Sequence, residues 1–202
     1  MRYMDRALEL AENAIRNVSP NPPVGAVVVS NGKVVGEGWT QPPGKNHAEI
    51  VALNQSKQLA KDSTLYITLE PCCFHGRTPP CVESIVEAGI KEVHVSILDP
   101  NPKVNGNGLA YLKNSGINVL MGERAEVAEK LIEGYKKYIV NEMPFVTVKY
   151  AMSLDGKIAS KNMDSKWISS EESRAYVQKM RNSMDAIMVG SNTVRQDNPN
   201  LT

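Results

Sequence analysis

The sequence predicts an α/β fold: a layered, mixed sheet covered by helices on both faces. Strand-like and helix-like segments alternate through most of its 202 residues, the pattern of a sheet sandwiched between helices. An early pair of strands joined at Asn31-Gly32 reads as antiparallel, so the sheet is mixed rather than wholly parallel. With 42% hydrophobic residues, the chain can bury the core such a sheet requires.

Met4, Ala7, Leu8, Ala11 and Ile15 recur at three- and four-residue spacing, the apolar stripe of an amphipathic first helix. VGAVVV and VVGEGW flank SNGK, which puts Asn31 and Gly32 where a tight hairpin needs positive φ. HAEIVALNQSKQLA is helical in pattern, TLYITL is a strand of alternating β-branched residues, and CVESIVEAG is a short helix stopped by Gly89. KEVHVSIL reads as a strand, GLAYLKNSG as a helix ended by Gly116, INVLM as a strand, and RAEVAEKLIEGYKKYIV as one long helix. After NEMP the pattern restarts. FVTVKYAMSLDGKIAS is a strand entering a turn at Asp155 and Gly156, SEESRAYVQKM a helix, and DAIMVG a strand. A boundary near Met143 divides the chain into 1–143 and 144–202. The second unit is small for an α/β unit whose strands need parallel neighbours, and is expected to be incomplete.

Lys and Arg number 23 against 22 Asp and Glu, so no broad field gathers nucleic acid or an acidic membrane. A small-molecule partner is the expectation. Arg2, Asp5, Arg6, Glu9 and Glu12 interrupt the amino terminus and leave it no apolar core of a secretory signal. The longest apolar runs, such as AVVV, fall far short of the ~20 residues of a membrane helix. The expected location is the cytoplasm, where clustered cysteines read as metal ligands or catalytic groups rather than disulfides. An unfinished sheet has exposed edges, so a homo-oligomer is expected.

All three cysteines lie within LEPCCFHGRTPPC, Leu69 to Cys81, and an odd number cannot close on itself as disulfides. Upstream, His47-Ala48-Glu49 opens a helix; Pro71-Cys72 follows a strand, and Cys81 opens another helix. One imidazole and two thiolates give Zn²⁺ three protein ligands with a fourth tetrahedral position open, the catalytic rather than the structural arrangement. The partial positive charge of a helix start is expected to favour the Cys81 thiolate. Glu49, beside a ligand without being one, is placed to shuttle protons. His-x-Glu followed by Pro-Cys and a second Cys is the known signature of zinc deaminases, in which the cysteines are two residues apart. Here Cys73 to Pro80 intervene, with Gly76 relaxing the turn and Pro79-Pro80 stiffening the return.

On NPPVGAVVV, HAE, TLEPCCFHGRTPPC and DPNP the chain resembles the deaminase domain of the bifunctional riboflavin biosynthesis proteins RibD, also called RibG. VTVKYAMSLDGKIAS, DSKWISS and SNTVRQDNPNLT resemble the start of their reductase domain. The resemblance implies a three-layer α/β/α cytidine-deaminase-like domain over 1–143, followed by the N-terminal part of a dihydrofolate-reductase-like domain. It implies hydrolytic deamination of 2,5-diamino-6-(5-phosphoribosylamino)pyrimidin-4-one to 5-amino-6-(5-phosphoribosylamino)uracil. In the family, reduction of the ribosyl group with NADPH follows. Position by position, the resemblance puts zinc on His47, Cys72 and Cys81, with Glu49 as proton donor. It puts the deaminase substrate on Asn21, Arg77, Asp99 and Asn101. In the second unit Ser165, Arg181 and Leu201 match substrate positions, and Ala151, Trp167, Thr193 and Asp197 match NADPH positions. A complete reductase carries a further stretch, so reduction is not expected of these residues alone.

Two departures stand out. Thr40 in GEGWT replaces a His usual in relatives, and Cys72-Cys73-Phe74 replaces a frequent Cys-Ser-His. Both remove an imidazole near the site without touching a ligand or Glu49, so the reaction is expected to survive with altered substrate contacts. Plainer readings attach to other residues. Cys73 reads as a small packed residue or free thiol, His75 as a loop residue, His94 as structural, Arg77 as a solvated charge and DPNP as a turn. Two other functions fit the ligands. Deamination of a base in RNA, DNA or another pyrimidine would want stacking surface that 5% aromatics do not provide. A non-catalytic zinc-stabilised scaffold would have no need of Glu49.

Overall fold

Five strands form one sheet in the order β2-β1-β3-β4-β5. They are β1 (Gly25–Ser30), β2 (Lys33–Trp39), β3 (Thr64–Leu69), β4 (Glu92–Ile97) and β5 (Asn118–Met121). The computed structural model describes residues 3–201, and its contacts divide the chain after Phe145, with the whole sheet in the first unit. β1 runs antiparallel to β2 and β3, while β3, β4 and β5 are mutually parallel, so the sheet is mixed. Asn31 and Gly32 take φ of 50° and 74°, the left-handed pair that closes a tight hairpin.

Alternation along β1 sends its side chains to two different helix layers. Val27 and Val29 cluster with Met4, Ala7 and Leu10 of α1 (Tyr3–Glu12). Ala26 and Val28 belong to the larger core, with Ala48 and Ala52 of α2 (Ala48–Ser56) and Val82 and Ile85 of α3 (Cys81–Glu87). Three layers result. Glycine sets how close they come. A Cβ on Gly25 would lie 1.9 Å from the Ala7 carbonyl oxygen, and one on Gly38 only 2.3 Å from that of Ala48. Bare Cα atoms therefore let α1 and α2 lie directly on the sheet. Arg6 of α1 forks onto Glu37 of β2 at 2.7 and 3.0 Å and fastens the helix to the edge strand.

Downstream, α4 (Asn107–Asn114) precedes β5, and three helices of this unit differ from the sequence expectation. The helix expected over HAEIVALNQSKQLA stops at Ser56 and finishes as a 3₁₀ turn over Lys57–Ala60. The first helix ends at Glu12, short of Ile15, because tighter turns take over: the N–H of Asn13 donates to Leu10 and that of Ala14 to Ala11. Ala14 remains buried in this turn. The helix expected over 124–140 breaks at Ile132, whose φ of −102° and ψ of 12° separate α5 (Ala125–Leu131) from α6 (Glu133–Asn141). Ile132 is buried in the core at this corner.

In the second unit, α7 (Glu171–Arg181) and α8 (Ser191–Asp197) form, and the Ser170 hydroxyl caps α7 by accepting the Ser173 N–H at 3.2 Å. The turn at Asp155 is present, with Gly156 at φ 80°. The strands expected in FVTVKY and DAIMVG are absent among the described residues. A strand is held by hydrogen bonds to a neighbour, and neither segment has one. Val146, Val148 and Met188 are exposed as a result. Among the described residues no helix is long and apolar enough to cross a membrane.

Candidate active site

Three junctions of secondary structure deliver three atoms that could hold a metal ion. His47 is the cap residue of α2, with extended backbone and no side-chain hydrogen bond to the helix start. Cys72 follows Pro71 just beyond β3, and Cys81 is the first residue of α3 after the cap Pro80. Their ligating atoms lie within 4.8 Å of one another. His47 Nδ1 is 3.6 Å from Cys72 Sγ and 3.3 Å from Cys81 Sγ, while its Nε2 lies 3.4 Å from Thr78 Oγ1 in the intervening loop. The long loop between the cysteines thus doubles back to close the cluster. One imidazole nitrogen and two converging sulfurs are a donor set suited to zinc, and these residues fit it.

The start of α3 serves one of the two sulfurs. The Cys81 N–H, in the first turn of α3, donates to Cys72 Sγ at 3.3 Å. The Cys81 thiol, the His47 ring and that N–H bring Cys72 down to about 4, against the effect of its burial. Cys81 is pushed well above the ordinary thiol range, first by its hydrogen bond with Cys72 and then by burial. The helix-start N–H expected to serve the Cys81 sulfur is directed instead at the neighbouring sulfur of Cys72. His47 is raised, chiefly by Cys72. Glu49, in the first turn of α2, is 4% exposed; burial lifts its carboxyl to about 7, Cys72 adding to this and His47 opposing it.

A cavity of about 260 Å³ opens beside the cluster. His47, Glu49 and Cys72 line it together with Asn21, Asp99 and Asn101. DPNP is indeed a turn, since Asp99 Oδ1 accepts the Asn101 N–H at 2.8 Å, and it is also a wall of the cavity. Thr40 and Phe74, the two departures, both line the cavity. The Thr40 hydroxyl is occupied by the Val24 N–H at 3.1 Å. Lys103 Nζ sits 5.9 Å above the Phe74 ring. Arg77 is exposed in the loop and lies outside the cavity wall. Cys73 turns away, its Sγ 3.7 Å from the Lys103 carbonyl oxygen, and His75 is exposed. His94 is stacked on Tyr66 with centroids 4.4 Å apart and has Glu92 and Glu123 beside it at 3.0 and 3.5 Å.

Sequence reasoning missed further wall residues, among them Glu70 and, from α6, Tyr135, Tyr138 and Ile139. Glu70 carries a faint signal, an acidic residue pressed between an apolar strand and a proline. The α6 residues carry none, because no local pattern says which face of that helix meets the cavity.

None of the seven residues matched in the second unit lines the cavity found there. Ala151, Ser165, Arg181 and Leu201 are half-buried, and Trp167, Thr193 and Asp197 are exposed. The Arg174 guanidinium lies 4.4 Å over the Trp167 ring, and Arg181 donates to the Asn200 carbonyl at 3.3 Å. A cavity in this unit is lined by others, Ser153, Lys157 and Asp164 among them.

Residues 1–97 match the cytidine and deoxycytidylate deaminase zinc-binding region, and residues 144–202 match the RibD C-terminal domain. The riboflavin biosynthesis protein RibD of Aquifex aeolicus is 49% identical over 200 residues, 99% of this chain. The chain belongs to the RibD family. RibD of Escherichia coli is 44% identical over 200 residues. A crystal structure from Thermotoga maritima, of a diaminohydroxyphosphoribosylaminopyrimidine deaminase/5-amino-6-(5-phosphoribosylamino)uracil reductase, matches with a TM-score of 0.92 at 46% identity. That match covers 98% of this chain and 57% of the Thermotoga chain. The chain spans about half the length of these RibD proteins: 56% of the Aquifex protein and 54% of the E. coli one. The zinc-binding-region match ends at residue 97, before Asp99, Asn101 and the α6 wall.

Proposed function

We propose that this RibD-family chain is a zinc-dependent aminohydrolase of riboflavin biosynthesis. It converts 2,5-diamino-6-(5-phosphoribosylamino)pyrimidin-4-one to 5-amino-6-(5-phosphoribosylamino)uracil, taking up water and releasing ammonia. The placement of Glu49 carries the proposal: a buried carboxyl, two residues from His47, on the wall of the cavity that His47 and Cys72 also line. With its carboxyl lifted to about 7, Glu49 can take and return a proton near neutral pH. When held by His47, Cys72 and Cys81, zinc supplies the Lewis acidity that makes water nucleophilic near neutral pH. Glu49 takes the proton from water as the oxygen bonds to the amine-bearing ring carbon, then hands a proton to the departing nitrogen. Asn21, Asp99 and Asn101 hold the pyrimidine end through polar contacts, and Arg77, exposed in the loop between the cysteines, grips the phosphate through two N–H groups.

Within this proposal the protein is a cytoplasmic homo-oligomer that acts on a small molecule and not on nucleic acid or membrane. Reduction with NADPH, with Ser165, Arg181 and Leu201 on substrate and Ala151, Trp167, Thr193 and Asp197 on cofactor, requires more sheet than residues 144–202 supply. The test is ammonia release from the phosphoribosyl diaminopyrimidine, followed in the ultraviolet with zinc-loaded protein beside a Glu49→Gln variant. The variant is expected to be on the order of 100-fold slower or worse with its zinc retained. Wild type and variant equally inert with zinc bound would instead support the scaffold.

A further inference from the structure

Glu70 is a charged residue buried to 3% exposure at the end of an apolar strand, and the proton-transfer chemistry leaves it unused. Its carboxylate is surrounded by backbone N–H groups. Oε2 accepts the Asp99 N–H at 3.2 Å; Oε1 accepts those of Gly108 at 2.9 Å and Leu109 at 3.2 Å. The Gly106 N–H lies 2.9 Å from both oxygens. The last three belong to the start of α4, whose cap residue, Gly106, has no side chain to offer. Glu70 therefore caps α4 from 36 residues away in sequence, and its negative charge meets the positive end of that helix.

The connection matters because of what lies at its two ends. Glu70 adjoins Pro71-Cys72, the turn that carries one proposed zinc ligand. The Asp99 N–H that it holds belongs to the turn carrying Asp99 and Asn101, which line the same cavity as Cys72. The fit at this junction is tight: a Cβ on Gly108 would lie 2.3 Å from the Pro71 carbonyl oxygen and 3.1 Å from Glu70 Oε1. We propose that Glu70 is a positioning residue for substrate recognition, tying the Cys72 turn to the Asp99-Asn101 turn and so setting the width of the cavity between metal site and substrate-holding side chains.

The kinetic part of the test rests on the deaminase proposal; the structural part does not. Glu70→Gln keeps the size of the side chain, but its amide group offers donors where backbone donors already converge. With zinc-loaded protein and the phosphoribosyl diaminopyrimidine, Glu70→Gln is expected to raise KM at least about tenfold, to lower kcat less than about threefold, and to keep its zinc. Gly108→Ala, which leaves the carboxylate in place but spreads the junction, is expected to raise KM in the same sense and serves if Glu70→Gln does not fold. A KM within twofold of wild type in the folded variants overturns the proposal, as does a loss confined to kcat. If wild type itself releases no ammonia, the deaminase proposal fails separately. Amide hydrogen exchange then decides for Glu70: Asp99, Gly106 and Gly108 must exchange at least about tenfold faster in the variant while α2 keeps its protection. Unchanged exchange at those three amides overturns the proposal.

Discussion

Tyr135 donates its hydroxyl to Asp99 Oδ1 across 3.0 Å, the same oxygen that accepts the Asn101 N–H at 2.8 Å. A residue of α6 thus orients a carboxyl in the DPNP turn. Burial lifts the Asp99 carboxyl to about 6 from an ordinary 3.8, with its hydrogen bonds opposing the rise and Glu70 and Cys72 adding to it. Between those values the folded protein binds more protons at Asp99 than the unfolded chain does, so stability at this residue falls as pH rises from about 4 to about 6. Asp99→Asn is expected to flatten that slope in urea midpoints measured from pH 4 to pH 7. Tyr135→Phe removes a donor that favours the charged form and is expected to move the window upward. Identical pH dependence in all three proteins would contradict the burial of this carboxyl.

The three cysteines are expected to behave differently. Cys72→Ala and Cys81→Ala each remove one of three ligands, so both are expected to lose stoichiometric zinc on dialysis against a weak chelator. Cys73→Ala is expected to keep its zinc, because its sulfur turns to the Lys103 carbonyl instead of the cluster. Metal content by mass spectrometry reads the difference, and zinc loss from the Cys73 variant would overturn this assignment.

Gly38→Ala pushes a methyl group into the Ala48 carbonyl at the start of the helix that carries Glu49. We expect a stability loss of about 3 kcal/mol, with weaker zinc binding because His47 caps that same helix. Gly32→Ala meets nothing within 4 Å and is strained only by its φ of 74°. It is expected to cost about 1 kcal/mol and to leave zinc binding unchanged. Chemical denaturation of both variants separates close packing from turn strain.

The Arg6–Glu37 fork is half-exposed, so its contribution is small despite its good geometry. Glu37→Gln is expected to cost about 0.5–1 kcal/mol, and less at high salt. Arg6 holds the Glu37 carboxyl below its ordinary value. The stabilisation is therefore present above the unfolded pKa and is lost as pH falls through the depressed one. A variant whose stability deficit grows toward low pH would contradict the pairing.

Local chemistry made parts of the fold readable. Asn31-Gly32, Gly89 and Gly116 occupy positive-φ positions, a demand so restrictive that sequence reveals it. The break at Ile132 was not readable, since the nearby Gly134 is a weak signal that a helix interior tolerates, and the buried position of Ile132 at the corner is a tertiary matter. FVTVKY and DAIMVG have the composition of strands, yet a strand exists only when a neighbour accepts its hydrogen bonds.

His47, Glu49, Cys72 and Cys81 were identifiable from sequence because each sits at a helix start or strand end that local pattern marks. Their assembly into one cluster needed only a loop able to return. Which sulfur receives the hydrogen bond of the helix start was decided by tertiary structure, because it depends on where the Cys81 N–H points. The cavity wall was decided there too: Tyr135 and Glu70 reach Asp99 only after α6 and the α4 start pack against the sheet end, through contacts spanning 36 and 29 residues that no local signal encodes.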